Sequence, residues 1–502
     1  MRLSINNVPV IVAVLAAALF ISCTSTPAPV EKPVPPKEAG TQKPPKQFTR
    51  EGFAKDLEKL LLADKFDAAI ALFDTVPEKD AADVSIRKLK ASVLISAGKL
   101  AEAEKLAVEL ETQYPADVDI LYMRAVLAEA KKDGKTRTAY LNKILKIEPN
   151  NSEALTAIGL DYYSKKNYPQ AKSTLVKAIA ADKTNTEALL GLARVYYMEA
   201  ELDKAGDTLS IALERAPNDS LIWAERARVK SETRKLPEAL ADIEKAISLD
   251  PDIYSHRIDA GTYYISAGKQ KEAREAFTAA IKLDPEHYLA YIYRAGLNDD
   301  LGNADEAISD YNAVCRLYPQ YWYASESLGI LLWGKGDYTG ARERFTEALR
   351  FNPECAPYAL MATLCYYREG READAKAFMS KYLTTLDREK TEYFLCRLFV
   401  DRSGDADVLN RITKEKNINN RNRMLFYSAM YYDLFQNREI AQKYYIEILA
   451  ATVPSFFEYR LSKWALADIE KASKSGKSGD SGKTPILPAR TGGKAGDDSV
   501  AG

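Results

Sequence analysis

The sequence predicts an all-α solenoid, a stack of antiparallel helix pairs repeating every 34 residues, and three combs of residues predict it. Pro149, Pro217, Pro251, Pro285, Pro319 and Pro353 fall on one grid of that period, and only the node at Lys183 lacks a proline. With 22 prolines in 502 residues, such alignment is not chance. Ala171, Ala205, Ala239, Ala273, Ala307, Ala341 and Ala375 form the second comb. The third takes small residues: Gly159, Ala193, Ala227, Gly261, Ala295, Gly329 and Thr363. A period of this length marks stacked units, none of which can bury its apolar face alone.

One unit, Tyr254–His287, shows the physical logic. Its first helix is expected from about Ser255 to Ala267 and stops at Gly268, where a helix end favours a left-handed residue. Glycine recurs at that place as Gly98, Gly302, Gly336 and Gly370. The second helix runs through KEAREAFTAAIKL to Asp284-Pro285, because the residue before proline is driven out of helical geometry. Small residues at unit positions 8 and 20 let the paired helices approach. A larger residue at position 24 (Leu175, Leu209, Ile243, Phe277, Tyr311, Phe345) fills the seam.

The chain divides into five stretches. Residues 1–22 read as an export leader: Arg2 precedes Val8–Ile21, an apolar run of 14, shorter than the roughly 20 residues a membrane helix needs. The run closes on Leu19-Phe20-Ile21-Ser22-Cys23. That resembles a bacterial lipoprotein box, with Cys23 as the lipidated first residue of the mature chain; Phe20-Ile21 departs from the usual leucine and small residue. Residues 23–49 form a stalk, with seven prolines among residues 24–47, suited to an extended polyproline II spacer. Ten units of 34 residues are expected over 50–389, starting at 50, 84, 118, 152, 186, 220, 254, 288, 322 and 356. The first three are weaker, and Arg137 does not fit position 20. Over 390–471 the grid slips into a pair with its turn at Ser403-Gly404-Asp405, a more regular pair at about 422–455, and a capping helix. That helix, FFEYRLSKWALADIEK, places Phe457, Leu461, Trp464 and Ala465 on one face. Residues 472–502 lack the apolar content for a core and are expected to be disordered.

Composition excludes some functions. There are 70 basic and 71 acidic residues, well mixed, so no clustered positive excess marks a nucleic-acid partner. His256 and His287 have no Cys or His partner at metal-ligand spacing, and no cofactor is expected. Gly482-Lys483-Thr484 ends like a phosphate loop but lacks the glycine five residues earlier and a preceding strand. Cys365 and Cys396 fall in successive units and could approach; for these and for Cys315 and Cys355, buried thiols or a bridge both stay open. No nucleophile elbow or paired-carboxylate motif interrupts the repeats, so a non-catalytic protein is expected.

These features together resemble the tetratricopeptide repeat (TPR). Further signature positions agree, with Leu155, Leu189 and Trp223 at position 4 and Tyr162, Tyr196, Tyr264 and Tyr366 at position 11. The resemblance implies a right-handed superhelix whose first helices line a concave face through unit positions 2, 5, 9, 12 and 13. Those positions include Tyr122, Ile265, Ile292 and Leu364. The candidate partner-binding residues carried over are Tyr163, Arg194, Tyr197, Arg228, Ile258, Tyr323, Glu326, Trp333 and Tyr367. Position 9 holds Val126, Leu160, Arg194, Arg228, Thr262, Gly296, Ile330 and Leu364, without the asparagine of TPR domains that clamp a C-terminal carboxylate. The implied function is a lipid-anchored scaffold in a bacterial cell envelope, its groove holding envelope proteins or peptide segments. The alternative is capture of a small ligand for a transporter.

Overall fold

The computed structural model describes residues 48–474 apart from Gln436, Val453 and Ser455. The leader, Cys23, the stalk to residue 47 and the tail from residue 475 lie outside the described residues. Two compact units divide between Lys235 and Leu236. No strand occurs among the described residues.

The first unit begins with α1 (Arg50–Leu62), α2 (Phe66–Leu72), α3 (Glu78–Ala81), α4 (Val84–Ser96), α5 (Leu100–Gln113) and α6 (Val118–Ala130). It continues with α7 (Gly134–Ile147), α8 (Ser152–Ser164), α9 (Tyr168–Ala181), α10 (Thr186–Met198), α11 (Leu202–Arg215) and α12 (Ser220–Glu232). Each first helix starts on the residue at which the 34-residue grid begins a unit. The reason stands one residue earlier. Thr49, Asp83, Asp117, Asn151, Asn185 and Asp219 each accept a backbone N–H of the first turn. Such caps contribute about 1 kcal/mol apiece.

The turns inside the pairs share one conformation. Asp64, Lys132, Lys166, Ala200 and Arg234 have φ between 52° and 60°, at the unit position where Gly98, Gly268, Gly302 and others stand. A left-handed residue is therefore part of the repeat whether or not glycine supplies it. At the node without proline, α9 still ends on schedule. The Asp182 carboxylate accepts from Thr184 N (2.8 Å) and Thr184 Oγ1 (2.6 Å), closing the turn.

Packing follows the combs. The alanines from Ala171 to Ala375 are fully buried. A Cβ built on Gly159 would fall 2.7 Å from Leu175, and one on Gly261 would fall 2.4 Å from Phe277. Positions 8 and 24 are therefore in direct contact, as the pattern requires. Arg137 stands where alanine is the rule and is held by ion pairs to Asp161 and Glu129. The first grid unit departs from expectation. Its second helix stops at Leu72, passes through a 3-10 turn (Phe73–Thr75) and Pro77, and resumes as the one-turn α3. Phe73 nevertheless fills the seam, edge-on to Phe53 at 5.1 Å.

The second unit begins with α13 (Leu236–Leu249), α14 (Tyr254–Ser266), α15 (Gln270–Leu283), α16 (Tyr288–Asp300), α17 (Ala304–Leu317), α18 (Trp322–Lys335) and α19 (Tyr338–Phe351). It ends with α20 (Ala356–Arg368), α21 (Glu372–Leu383), α22 (Thr391–Asp401), α23 (Asp405–Thr413), α24 (Ile418–Phe435), α25 (Arg438–Leu449) and α26 (Glu458–Lys474). The rebuilt turn at Ser403-Gly404 is present, with Arg402 and Gly404 both left-handed. In the last regular pair Ala429 and Ala441 are fully buried, but its first helix starts at Ile418, earlier than expected.

The capping helix does more than the pattern implied. It packs on the last pair, α24 and α25, and also reaches back onto earlier repeats. Arg460 donates to both oxygens of Asp299 in α16, at 2.7 and 2.8 Å. The Trp464 ring lies against Gly334 of α18. Phe457, Leu461 and Trp464 do share a face, and that face is the one buried. An aromatic stripe of this size cannot remain in water when an apolar surface is within reach.

Candidate partner-binding site

In the first unit, four of the expected residues converge. Arg194 and Arg228, both at position 9, reach toward one carboxylate, Glu225 of α12. Arg194 Nε donates to Glu225 Oε1 at 2.8 Å, and Arg228 pairs with the same side chain. The Arg228 guanidinium lies over the ring of Tyr197, 5.1 Å from its centroid. Tyr197 in turn donates its hydroxyl to Glu232 at 3.3 Å. Tyr163 closes the other side, its ring tilted against Tyr168 at 6.0 Å. Ala193, Leu209 and Val229 form the floor and Met198 the rim.

The cluster is balanced in charge: two guanidinium groups share the Glu225 carboxylate, and Glu232 stands beside them on the Tyr197 hydroxyl. Burial lowers the pKa of Arg194, a sign that its cation is poorly hydrated. Burial, then the charge of Glu232, raises the Tyr197 phenol, which stays a neutral donor. The cleft holds about 30 Å³ of water-accessible space. That admits one or two waters and is too shallow to enclose a small ligand.

Sequence reasoning missed two parts of this face. Glu225 sits at position 6, outside the positions carried over. Asp119, Glu153 and Glu187 recur at position 2 of three successive units and are all exposed. Although their surfaces are open, the surrounding protein partly desolvates Glu153 and Glu187 and raises both, with Asp119 adding to the first and Glu129 and Glu153 to the second. The recurrence of an acid at one grid position was a signal available in the chain.

In the second unit the carried-over residues have other work. Ile258 is 7% exposed and packs with Ala273, Phe277 and Ala280 in the core of its own pair, so it offers no groove surface. Tyr367 meets Phe435 edge-on at 4.9 Å and donates its hydroxyl to the Phe399 carbonyl, which makes it a packing residue. Glu326 accepts the Tyr358 hydroxyl, and burial raises its pKa. Trp333 is half-buried, edge-on to Tyr338 at 5.1 Å. Tyr323 alone of these five is mostly exposed, at 52%. Ile265 is also exposed, Ile292 is half-buried and Leu364 is fully buried.

The remaining reactive residue types are structural. His287 caps α16, its Nδ1 facing Leu289 N and the Tyr254 hydroxyl. His256 is buried with no hydrogen-bond partner on either ring nitrogen, and desolvation lowers its pKa toward the neutral form. All four described cysteines are free thiols; burial pushes Cys365 and Cys396 far up, which removes thiolate reactivity. Among the described residues no helix is long and apolar enough to cross a membrane.

Comparison with known proteins gives the following. Family models described as tetratricopeptide repeat match residues 162–229, 258–321 and 327–389. A search of curated proteins returns no match. Among solved structures the chain is similar to PilF of Pseudomonas aeruginosa, at 22% identity over 40% of this chain and 92% of that one, with a TM-score of 0.37. It is similar to a tetratricopeptide repeat protein from Parabacteroides merdae at 19% identity, covering 50% and 98% of the two chains, TM-score 0.38. PilW, a type IV pilus biogenesis factor, matches at 17% identity over 40% and 94%, TM-score 0.37.

Proposed function

The chain is a tetratricopeptide-repeat protein, and on that premise we propose that it is a docking scaffold. Its first unit binds an extended or helical segment of another protein. The observation that carries this reading is the Arg194–Glu225–Arg228 cluster, flanked by Tyr163 and Tyr197. Arginine and tyrosine are the residue types that anchor protein interfaces, and here they are held in place by each other. A partner carboxylate would take the exposed side of the arginine pair, while an apolar neighbour rests on Met198 and Tyr163. Basic groups further along that segment would meet Asp119, Glu153 and Glu187. The shallow cleft favours a protein segment over capture of a small molecule.

We further propose that the scaffold works at a bacterial cell envelope, anchored through acyl chains on Cys23. The support is the short apolar run that ends at that cysteine and the proline-rich stalk that follows. Photo-crosslinking residues placed singly at Tyr163 and Met198 test the docking face. They should trap the same partner in cells, and a crosslinker at the exposed Lys177 on a second helix should not. Equal trapping from Lys177 would remove the assignment of this face.

A further inference from the structure

In the second unit, α26 and the residue before it lie against earlier repeats. Phe457 faces Phe345 and Tyr358, with centroids 6.3 and 6.4 Å away. Arg460 grips Asp299 with two bonds. Leu461 is buried. Trp464 covers Gly334 and carries the Arg460 guanidinium 4.6 Å from its centroid. Counted from Phe457, these anchors stand at i, i+3, i+4 and i+7, the spacing with which an amphipathic helix fills a groove. Their receivers come from α16, α18, α19 and α20, four helices spread over three repeats. Helix α26 also packs on its chain neighbours α24 and α25, contacts that its release must break as well.

We propose that this groove is a helix-binding site whose resident occupant is the chain's own α26, releasable in favour of a partner helix bearing the same pattern. That partner would present an aromatic residue, an arginine, a leucine and a tryptophan at i, i+3, i+4 and i+7.

A misfit in the first turn of α26 makes the occupant releasable. Glu458 is completely buried. Its Oε1 accepts the Tyr427 hydroxyl at 2.7 Å, whereas Oε2 has no hydrogen-bond partner and Arg423 Nε stands 3.9 Å away. The other groups facing it are Glu326 of α18 and Cys355 ahead of α20. Burial pushes the Glu458 carboxyl up to about 7; Glu326 adds to the rise, and Tyr427 and Arg423 oppose it. The closed state therefore holds the proton, and the open state, with Glu458 in water, releases it at ordinary carboxylate pH. Closure is strongest in acid and weakens as pH rises from the carboxylate range through 7. Between about pH 5.5 and pH 8 the closing constant falls on the order of 20-fold.

Hydrogen exchange on the full chain, corrected for intrinsic rates, tests the release. Protection of residues 458–471 should drop on the order of 20-fold across that pH range while α24 holds. Glu458→Gln, which keeps the acceptor for Tyr427 without the charge, should abolish the drop. A labelled peptide of residues 456–471 carrying Glu458→Gln, so that its own seating does not depend on pH, tests the groove. It should bind the full-length Trp464→Ala chain at both pH values, the native chain mainly at pH 8, and the Glu458→Gln chain at neither. If α26 exchanges only together with α24 at every pH, the occupant is not releasable. If α26 opens but the peptide binds no form of the chain, the groove is not a helix site. Either result overturns the proposal.

Discussion

Gly261→Ala adds a single methyl group, and the structure says where it goes. The new Cβ would lie 2.4, 2.6 and 2.8 Å from three ring atoms of Phe277. That ring has no slack: it is fully buried, packed against Ile258 and Ala273, and stacked on Tyr293 at 5.2 Å. Alanine improves helix propensity by about 1 kcal/mol. Overpacking costs about 1–3 kcal/mol, so the net change should be destabilising by about 1 kcal/mol. The compensating change is already present elsewhere in the chain, where Ala193 at position 8 meets Leu209 at position 24. Phe277→Leu in the Gly261→Ala background should therefore recover stability, giving a favourable coupling of about 1 kcal/mol or more. Hydrogen exchange resolved to α14 and α15 measures both variants and their combination. An alanine that stabilises, or one whose cost is the same with Phe or Leu at 277, would refute the contact argument.

Three other outcomes follow from separate features. Ala200 has φ 60°, where the repeat elsewhere uses glycine, so Ala200→Gly should raise the local stability of α10–α11 by about 1 kcal/mol, read by the same exchange measurement. Tyr367→Phe removes the bond to the Phe399 carbonyl and should cost about 1 kcal/mol in chemical denaturation; an unchanged stability would show that this bond does not hold the ring in place. Cys23→Ala should leave the protein unprocessed or released from membranes, and a mature, membrane-bound variant would rule out acyl anchoring at that residue.

The repeat was legible because every helix boundary is set by local chemistry that recurs. Prolines after second helices, alanines in the seams and small residues opposite Leu or Phe are each visible within one period. The N-caps from Thr49 to Asp219 were equally visible and mark first-helix starts more closely than the prolines mark second-helix ends. Left-handed turns at Lys166 or Ala200 were not, because nothing in those residue types announces the conformation. The binding face was read by carrying over positions, which assumes that each repeat meets its neighbours in the same way. It brought together Tyr163, Arg194, Tyr197 and Arg228, which the structure places around one cleft. It failed for Tyr367, which meets the rebuilt pair beyond residue 390, and for Ile258, which its own pair buries. The return of α26 joins residues 161 apart in sequence, a pairing with no period to betray it. Only its apolar stripe hinted that something must cover it.

Binding of the crosslinked partner segment to the full chain tests the central claim most directly. Titration should show Arg194→Ala and Arg228→Ala each weakening affinity by about 2 kcal/mol, roughly 30-fold, with thermal stability little changed. The loss should be smaller at high salt, where the native affinity itself falls. A segment that binds both variants as tightly as the native chain would contradict the assignment of this cleft as the docking site.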